Sequence, residues 1–140
     1  AWVNYAGLSS NKYHQLARRY CPKGAGAVFT FGLKGGYDAG IALVSNVKLF
    51  SHLANIGDTR SLVIHPASTT HRQISDEQKI KSGAGPDVVR LSIGIEDVAD
   101  IIADLDMSST REIVSINHSM CLWTSFSYCI IESILYKSTV

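Results

Sequence analysis

Arg90 is the residue whose type and setting most invite chemistry. It stands within Val88-Val89-Arg90-Leu91-Ser92-Ile93, a β-branched and apolar run that reads as a strand. A guanidinium among such neighbours is costly to bury unless an anion meets it. Its planar fork suits a carboxylate held by two parallel hydrogen bonds. The alternative is a structural ion pair with an Asp or Glu of the same domain. The pattern alone leaves both open.

Other signals dissolve on inspection. Ser9-Ser10-Asn11-Lys12 has the Ser-x-x-Lys form of a serine nucleophile with its lysine, but the companion motifs are missing and helix capping accounts for it. His65 and His71 have no Cys or carboxylate at ligand spacing, so no metal centre is expected. Gly32, Gly35 and Gly36 sit at a strand-to-helix junction where an anion is conceivable, but a plain turn is the better reading. Neither a Gly-x-Gly-x-x-Gly nor a P-loop pattern occurs. Cys21, Cys121 and Cys129 are odd in number and scattered, which fits reduced thiols in a cytosolic protein rather than a disulfide framework or a Cys-x-x-Cys pair.

The elements that must position Arg90 are legible in outline. Ser9 to Asn11 offer caps for a first helix, in which Tyr13, Leu16, Ala17 and Tyr20 form an apolar stripe, stopped at Pro22. Ala27 to Phe31 reads as a strand, broken by Gly35-Gly36. A second helix is traced by Tyr37, Ile41, Val44 and Lys48 and ends near Phe50. Arg60 to Ile64 is a short strand closed by His65-Pro66. Ser75 and Gln78 have the form of a capping box that starts a short helix ending at Gly83. After the strand bearing Arg90, the positions Val98, Ile101, Ile102 and Leu105 give the strongest helical stripe. Alternating strands and helices predict an α/β domain, a small mixed or antiparallel sheet with helices packed on one face.

Residues 1–106 carry these patterns and residues 107–140 do not. Residues 107–117 are polar and lack a period. Residues 120–136 are largely apolar but interrupted by Ser125, Ser127, Glu132 and Ser133, which argues against a membrane anchor. The tail is therefore expected to pack on the domain or to be poorly ordered. The opening Ala1-Trp2-Val3 is no signal peptide and reads as the cut end of something longer. The chain has 140 residues, enough for one domain with a modest core. Its 13 basic and 12 acidic residues nearly balance, which removes the electrostatic case for nucleic acid.

Four segments bear a resemblance. They are Phe29-Thr30-Phe31-Gly32-Leu33-Lys34-Gly35-Gly36, Phe50-Ser51-His52-Leu53-Ala54-Asn55-Ile56-Gly57-Asp58, Ser61-Leu62-Val63-Ile64-His65-Pro66-Ala67-Ser68-Thr69-Thr70-His71 and Arg90-Leu91-Ser92-Ile93-Gly94-Ile95-Glu96-Asp97. In order and spacing they resemble the C-terminal domain of O-acetylhomoserine sulfhydrylases, of the cystathionine γ-synthase group of enzymes dependent on pyridoxal 5'-phosphate (PLP). The resemblance covers residues 2 to about 106. It implies the small C-terminal domain of a fold-type-I PLP enzyme, and a transferase that replaces the γ-acetoxy group of O-acetyl-L-homoserine with sulfide or a thiol. That reaction belongs to transsulfuration and methionine biosynthesis.

Residue by residue, the resemblance implies that Arg90 clamps the substrate's α-carboxylate and that Ser61 and Leu62 lie beside it, often through a backbone amide. His65 and His71 are implied to be scaffold. The family's Schiff-base lysine lies in a Ser/Thr-x-Lys setting upstream, and none of Lys12, Lys23, Lys34, Lys48, Lys79, Lys81 or Lys137 has it. No catalytic or cofactor-binding residue is therefore expected in this stretch, and the isolated chain is expected to show no turnover. The parent is expected to be a cytoplasmic homotetramer acting on a small amino acid. A cystathionine γ-synthase or γ-lyase activity in the parent, a non-catalytic interaction module and a membrane-tethered fragment stand as alternatives.

Overall fold

The computed structural model describes the backbone of residues 2–113 and the side chains of residues 2–108. The strands β1 (Trp2–Asn4), β2 (Val28–Gly32), β3 (Leu62–Ile64) and β4 (Val88–Ser92) form one sheet. Their order is β1-β2-β4-β3 and all the pairings are antiparallel, which decides between the mixed and antiparallel alternatives. Four helices accompany them: α1 (His14–Tyr20), α2 (Gly36–Asn46), α3 (Asp76–Lys81) and α4 (Val98–Ile113).

Strand alternation sorts the two faces. Phe29 pairs with Leu91, Phe31 with Val89, and Val63 with Leu91, so these five side chains share one face. On that face lie α2 and α4, which add Leu43, Val44, Ile101, Ile102 and Leu105 to a single core. Each such side chain, fully buried, contributes about 1.5–3 kcal/mol. The predicted stripe of α4 is the one observed. Asp97 caps that helix, its Oδ1 accepting from the Ala99 amide at 2.8 Å. Asp104, on the same helix, accepts from the backbone amides of Lys48 (2.9 Å) and Leu49 (2.8 Å), which fastens the exit of α2 to α4.

The readings of α1 and α2 need correction. The stripe proposed for α1 faces outward: Tyr13, Leu16 and Tyr20 are exposed and the helix buries no residue. Its entry is not capped by a side chain on the first turn; the Asn11 carboxamide instead accepts from the Tyr13 amide at 2.9 Å. The stripe proposed for α2 is rotated. Tyr37 and Ile41 are exposed while Gly40, Leu43 and Val44 are buried, and the helix ends at Asn46 rather than near Phe50. The reason is His65, fully buried, whose ring packs so close to Gly40 that no β-carbon fits between them. Helix α2 approaches the sheet through its smallest residue, and that sets its rotation.

Helix α4 runs through Ile113, past residue 106 where the periodic sequence pattern ends. Cys121, Cys129 and the apolar stretch 120–136 lie outside the described residues. Among the described residues, no helix is long and apolar enough to cross a membrane. The capping box at Ser75 and Gln78 forms as read, with both reciprocal hydrogen bonds present.

Candidate anion-binding site

Arg90 occupies the middle of β4, a central strand, paired with Thr30 on one side and Ile64 on the other. Its neighbours Val89 and Leu91 point into the helical core, so alternation turns Arg90 to the opposite face. The premise of a guanidinium buried in apolar surroundings is therefore corrected: Arg90 is half-buried, and the apolar residues beside it in sequence face away from it. Same-face neighbours along and across the strands, Val88, Ser92, Leu62 and Ile64, are all buried.

What matters is the guanidinium's partner. Nη2 donates to the backbone carbonyl of Asn55 at 3.2 Å, reaching across to the segment that precedes β3. Among the described residues no Asp or Glu lies within salt-bridge distance of it. A guanidinium carries five N–H donors in a rigid fork, so one carbonyl leaves most of its capacity unspent. The structural ion-pair alternative has no support among these residues.

Ser61 and Leu62 sit at the start of β3, on the strand beside Arg90. Ser61 is fully buried, and both its donors are already engaged. Its amide donates to Glu96 Oε1 at 2.7 Å and its hydroxyl to Glu96 Oε2 at 2.8 Å, while the Gly94 amide donates to the same hydroxyl oxygen at 2.9 Å. Burial pulls the Glu96 carboxyl upward, but the bonds from the Ser61 amide and hydroxyl and from its own amide outweigh that and the nearby Asp58, leaving it below the usual carboxylate range. The Val63 amide bonds Ser51 on the outer side of β3, so the Leu62 amide turns inward, toward its ladder partner Ser92. The side chain of Leu62 shares the face of Arg90. The structure thus places the Leu62 side chain on the face of Arg90, while the backbone donors of Ser61 and Leu62 are turned to partners other than the guanidinium.

His65 and His71 make their hydrogen bonds elsewhere. His65 Nε2 lies 2.9 Å from the Pro86 carbonyl, which can only accept, so that nitrogen carries the proton. Nδ1 faces the Ser68 hydroxyl at 2.9 Å, and the Tyr37 ring meets the imidazole edge-on at 5.0 Å. Among the described residues, His71 Nδ1 bonds its neighbour Thr70. Sequence reasoning missed the roles of Asn55 and Glu96. Asn55 acts through its carbonyl, which no side-chain pattern reveals, and Glu96 reaches back 35 positions to Ser61.

Comparison with known proteins fits this picture. The family model described as "Cys/Met metabolism PLP-dependent enzyme" matches residues 1–109. An O-acetyl-L-homoserine sulfhydrylase of Thermus thermophilus is 55% identical over 105 residues, covering 75% of this chain and 25% of that protein. Among solved structures, an O-acetylhomoserine (thiol)-lyase of Campylobacter jejuni, holding N'-pyridoxyl-lysine-5'-monophosphate, superposes with a TM-score of 0.71 at 42% identity, over 78% of this chain and 26% of that one. Cystathionine γ-synthase of Xanthomonas oryzae, in complex with cystathionine, gives 0.72 at 34% identity over 83% and 30%. The chain spans about a quarter of the length of the curated relatives it matches. Matched by that family model over residues 1–109, the chain belongs to the Cys/Met metabolism PLP-dependent enzymes.

Proposed function

We propose that this chain is the carboxylate-binding domain of a PLP-dependent transferase that exchanges the γ-acetoxy group of O-acetyl-L-homoserine for sulfide or a thiol. The carrying observation is Arg90: a guanidinium turned away from the core, tied to one backbone carbonyl and to no described carboxylate. Higher identity to the O-acetylhomoserine (thiol)-lyase structure (42%) than to the cystathionine γ-synthase structure (34%) supports sulfide or a simple thiol over cysteine as the incoming nucleophile.

The described residues do not themselves suit the cofactor. Lys12, Lys23, Lys34, Lys48 and Lys81 are exposed and Lys79 is paired with Asp76 at 2.8 Å, so none offers a sheltered amine. The work assigned to this domain, residues 1–106, is therefore positional. Arg90 takes the α-carboxylate in its fork, with Leu62 and Ser61 backing it, and fixes the direction of the remaining bonds at the α-carbon. Holding a reactant in productive geometry is worth several kcal/mol of barrier. The parent is read as a cytoplasmic homotetramer on the strength of the family resemblance alone.

The reading is tested by following the Arg90 side-chain Nε–H resonance of the 140-residue chain as O-acetyl-L-homoserine is added. A saturable shift is expected, absent with O-acetyl-homoserinol, which lacks the carboxylate; the backbone-amide shifts that accompany it should be lost in Arg90→Lys, whose ammonium cannot form the paired bonds. An equal response to both compounds would overturn it.

A further inference from the structure

The guanidinium of Arg90 has to be aimed before it can clamp anything, and what aims it is the Asn55 carbonyl. Asn55 lies in an exposed stretch, residues 52–57, without helix or strand of its own. That stretch is pinned at both ends. At its start, the Ser51 amide donates to the Ser61 carbonyl at 2.9 Å and the Val63 amide to the Ser51 carbonyl at 3.0 Å. Toward its end, the Arg60 amide donates to Asp58 at 3.1 Å and the Ile95 amide to the Thr59 carbonyl at 3.0 Å. Ser61 supplies the carbonyl of the first attachment and follows Arg60 of the second in the chain, and Glu96 holds Ser61 through both carboxylate oxygens.

The geometry around Glu96 leaves little slack. Gly94 has no room for a β-carbon, because the Thr59 carbonyl, the Arg60 backbone and the Glu96 carboxylate crowd it. The Gly94 amide closes the ring of contacts on the Ser61 hydroxyl. The turn that follows β4 therefore clasps the start of β3, two ladder pairs beyond the Arg90–Ile64 pair. From these contacts we infer that Glu96 is a positioning residue for Arg90: its carboxylate clasps Ser61, fixes the segment bearing Asn55, and so holds the guanidinium in its anion-receiving direction. The inference rests on the carboxylate-binding reading of Arg90 and deepens it. The carboxylate takes the backbone donor of Ser61 for structural use, and the anion's recognition is left to the arginine fork.

The test uses the full 140-residue chain and reads the mobility of the Arg90 Nε–H group by heteronuclear NOE without ligand. The exposed Arg18 and Arg72 serve as internal standards for a solvent-facing side chain. The wild-type Arg90 signal should be more rigid than both standards. In Glu96→Gln its rigidity should fall to theirs while the amides of β2 and α4 keep their wild-type shifts. In Glu96→Asp, which keeps the charge, it should recover in part. Ser61→Ala removes the hydroxyl and keeps the amide bond, and should give an intermediate loss. Binding of O-acetyl-L-homoserine should weaken roughly tenfold in Glu96→Gln, the effect of about one lost charge-assisted contact. Arg90 as rigid as wild type in both Glu96→Gln and Ser61→Ala would overturn the inference, as would unfolding of both, which would make Glu96 a residue of general stability. Wild-type indifference to O-acetyl-L-homoserine would instead strike at the carboxylate-binding reading, and the ligand-free NOE comparison would still decide the role of Glu96.

Discussion

Gly40→Ala sets two magnitudes of opposite sign against each other. In an exposed helix the change would stabilise by about 1 kcal/mol, since glycine carries the larger entropy cost. Here the new methyl would overlap Cδ2 and Nε2 of His65, a ring with no exposed surface and a 2.9 Å bond to the Pro86 carbonyl. Overpacking of this kind costs about 1–3 kcal/mol, and weakening the His65–Pro86 bond adds about 0.5–1.5 kcal/mol. The net expectation is destabilisation of about 1–3 kcal/mol. At the usual urea sensitivity that moves the midpoint down by about 1 M. Pro86 lies two residues before β4, so displacing the ring also disturbs the approach to Arg90. The assay is urea unfolding by far-ultraviolet circular dichroism, with the His65 ring proton as a local reporter. Ser45→Ala, on the exposed side of α2, is the control and should be neutral or slightly stabilising. Gly40→Ala as stable as wild type, or an unperturbed His65 resonance, would refute the claim that close approach at Gly40 sets the rotation of α2.

Further outcomes follow from the same contacts. Asp104→Ala strips the Lys48 and Leu49 amides of their acceptor and should cost about 1.5–3 kcal/mol in the same unfolding assay. Because the fold holds Glu96 ionised below the usual carboxylate range, its contribution is complete above the ordinary glutamate range and is lost as pH falls through that range and on through the lower folded value. Wild-type stability should therefore drop more steeply there than that of Glu96→Gln, measured as urea midpoints against pH. Leu16→Gln should change stability by less than about 0.5 kcal/mol, because α1 buries nothing in this domain.

The sequence showed some features and concealed others for physical reasons. Strand β4, the capping box at Ser75 and the core stripe of α4 are written in local pattern, and each formed where read. Strand β1 was invisible. It has three residues, and it exists because β2 offers an edge on which Trp2 lies across Gly32, its indole N–H reaching Asp87 at 2.9 Å. The stripes of α1 and α2 failed because helical spacing names a face without naming what covers it. At α2 the decisive contact is with His65, 25 residues away in the chain, and at α1 none of the described residues buries the stripe. At the site, Arg90 was conspicuous as a charge within an apolar strand, but the face it occupies required the strand's neighbours to be known. Glu96 carried no signal of its own, since a glutamate after a strand is ordinary until its partner 35 positions earlier is seen.

The most direct test of the account is a crystal structure of the parent enzyme, loaded with its cofactor and soaked with O-acetyl-L-homoserine. The account predicts two nitrogen atoms of Arg90 on the substrate's α-carboxylate at about 2.7–2.9 Å, with Leu62 alongside and Glu96 still clasping Ser61. A carboxylate bound elsewhere, with Arg90 facing an Asp or Glu of the protein, would contradict it.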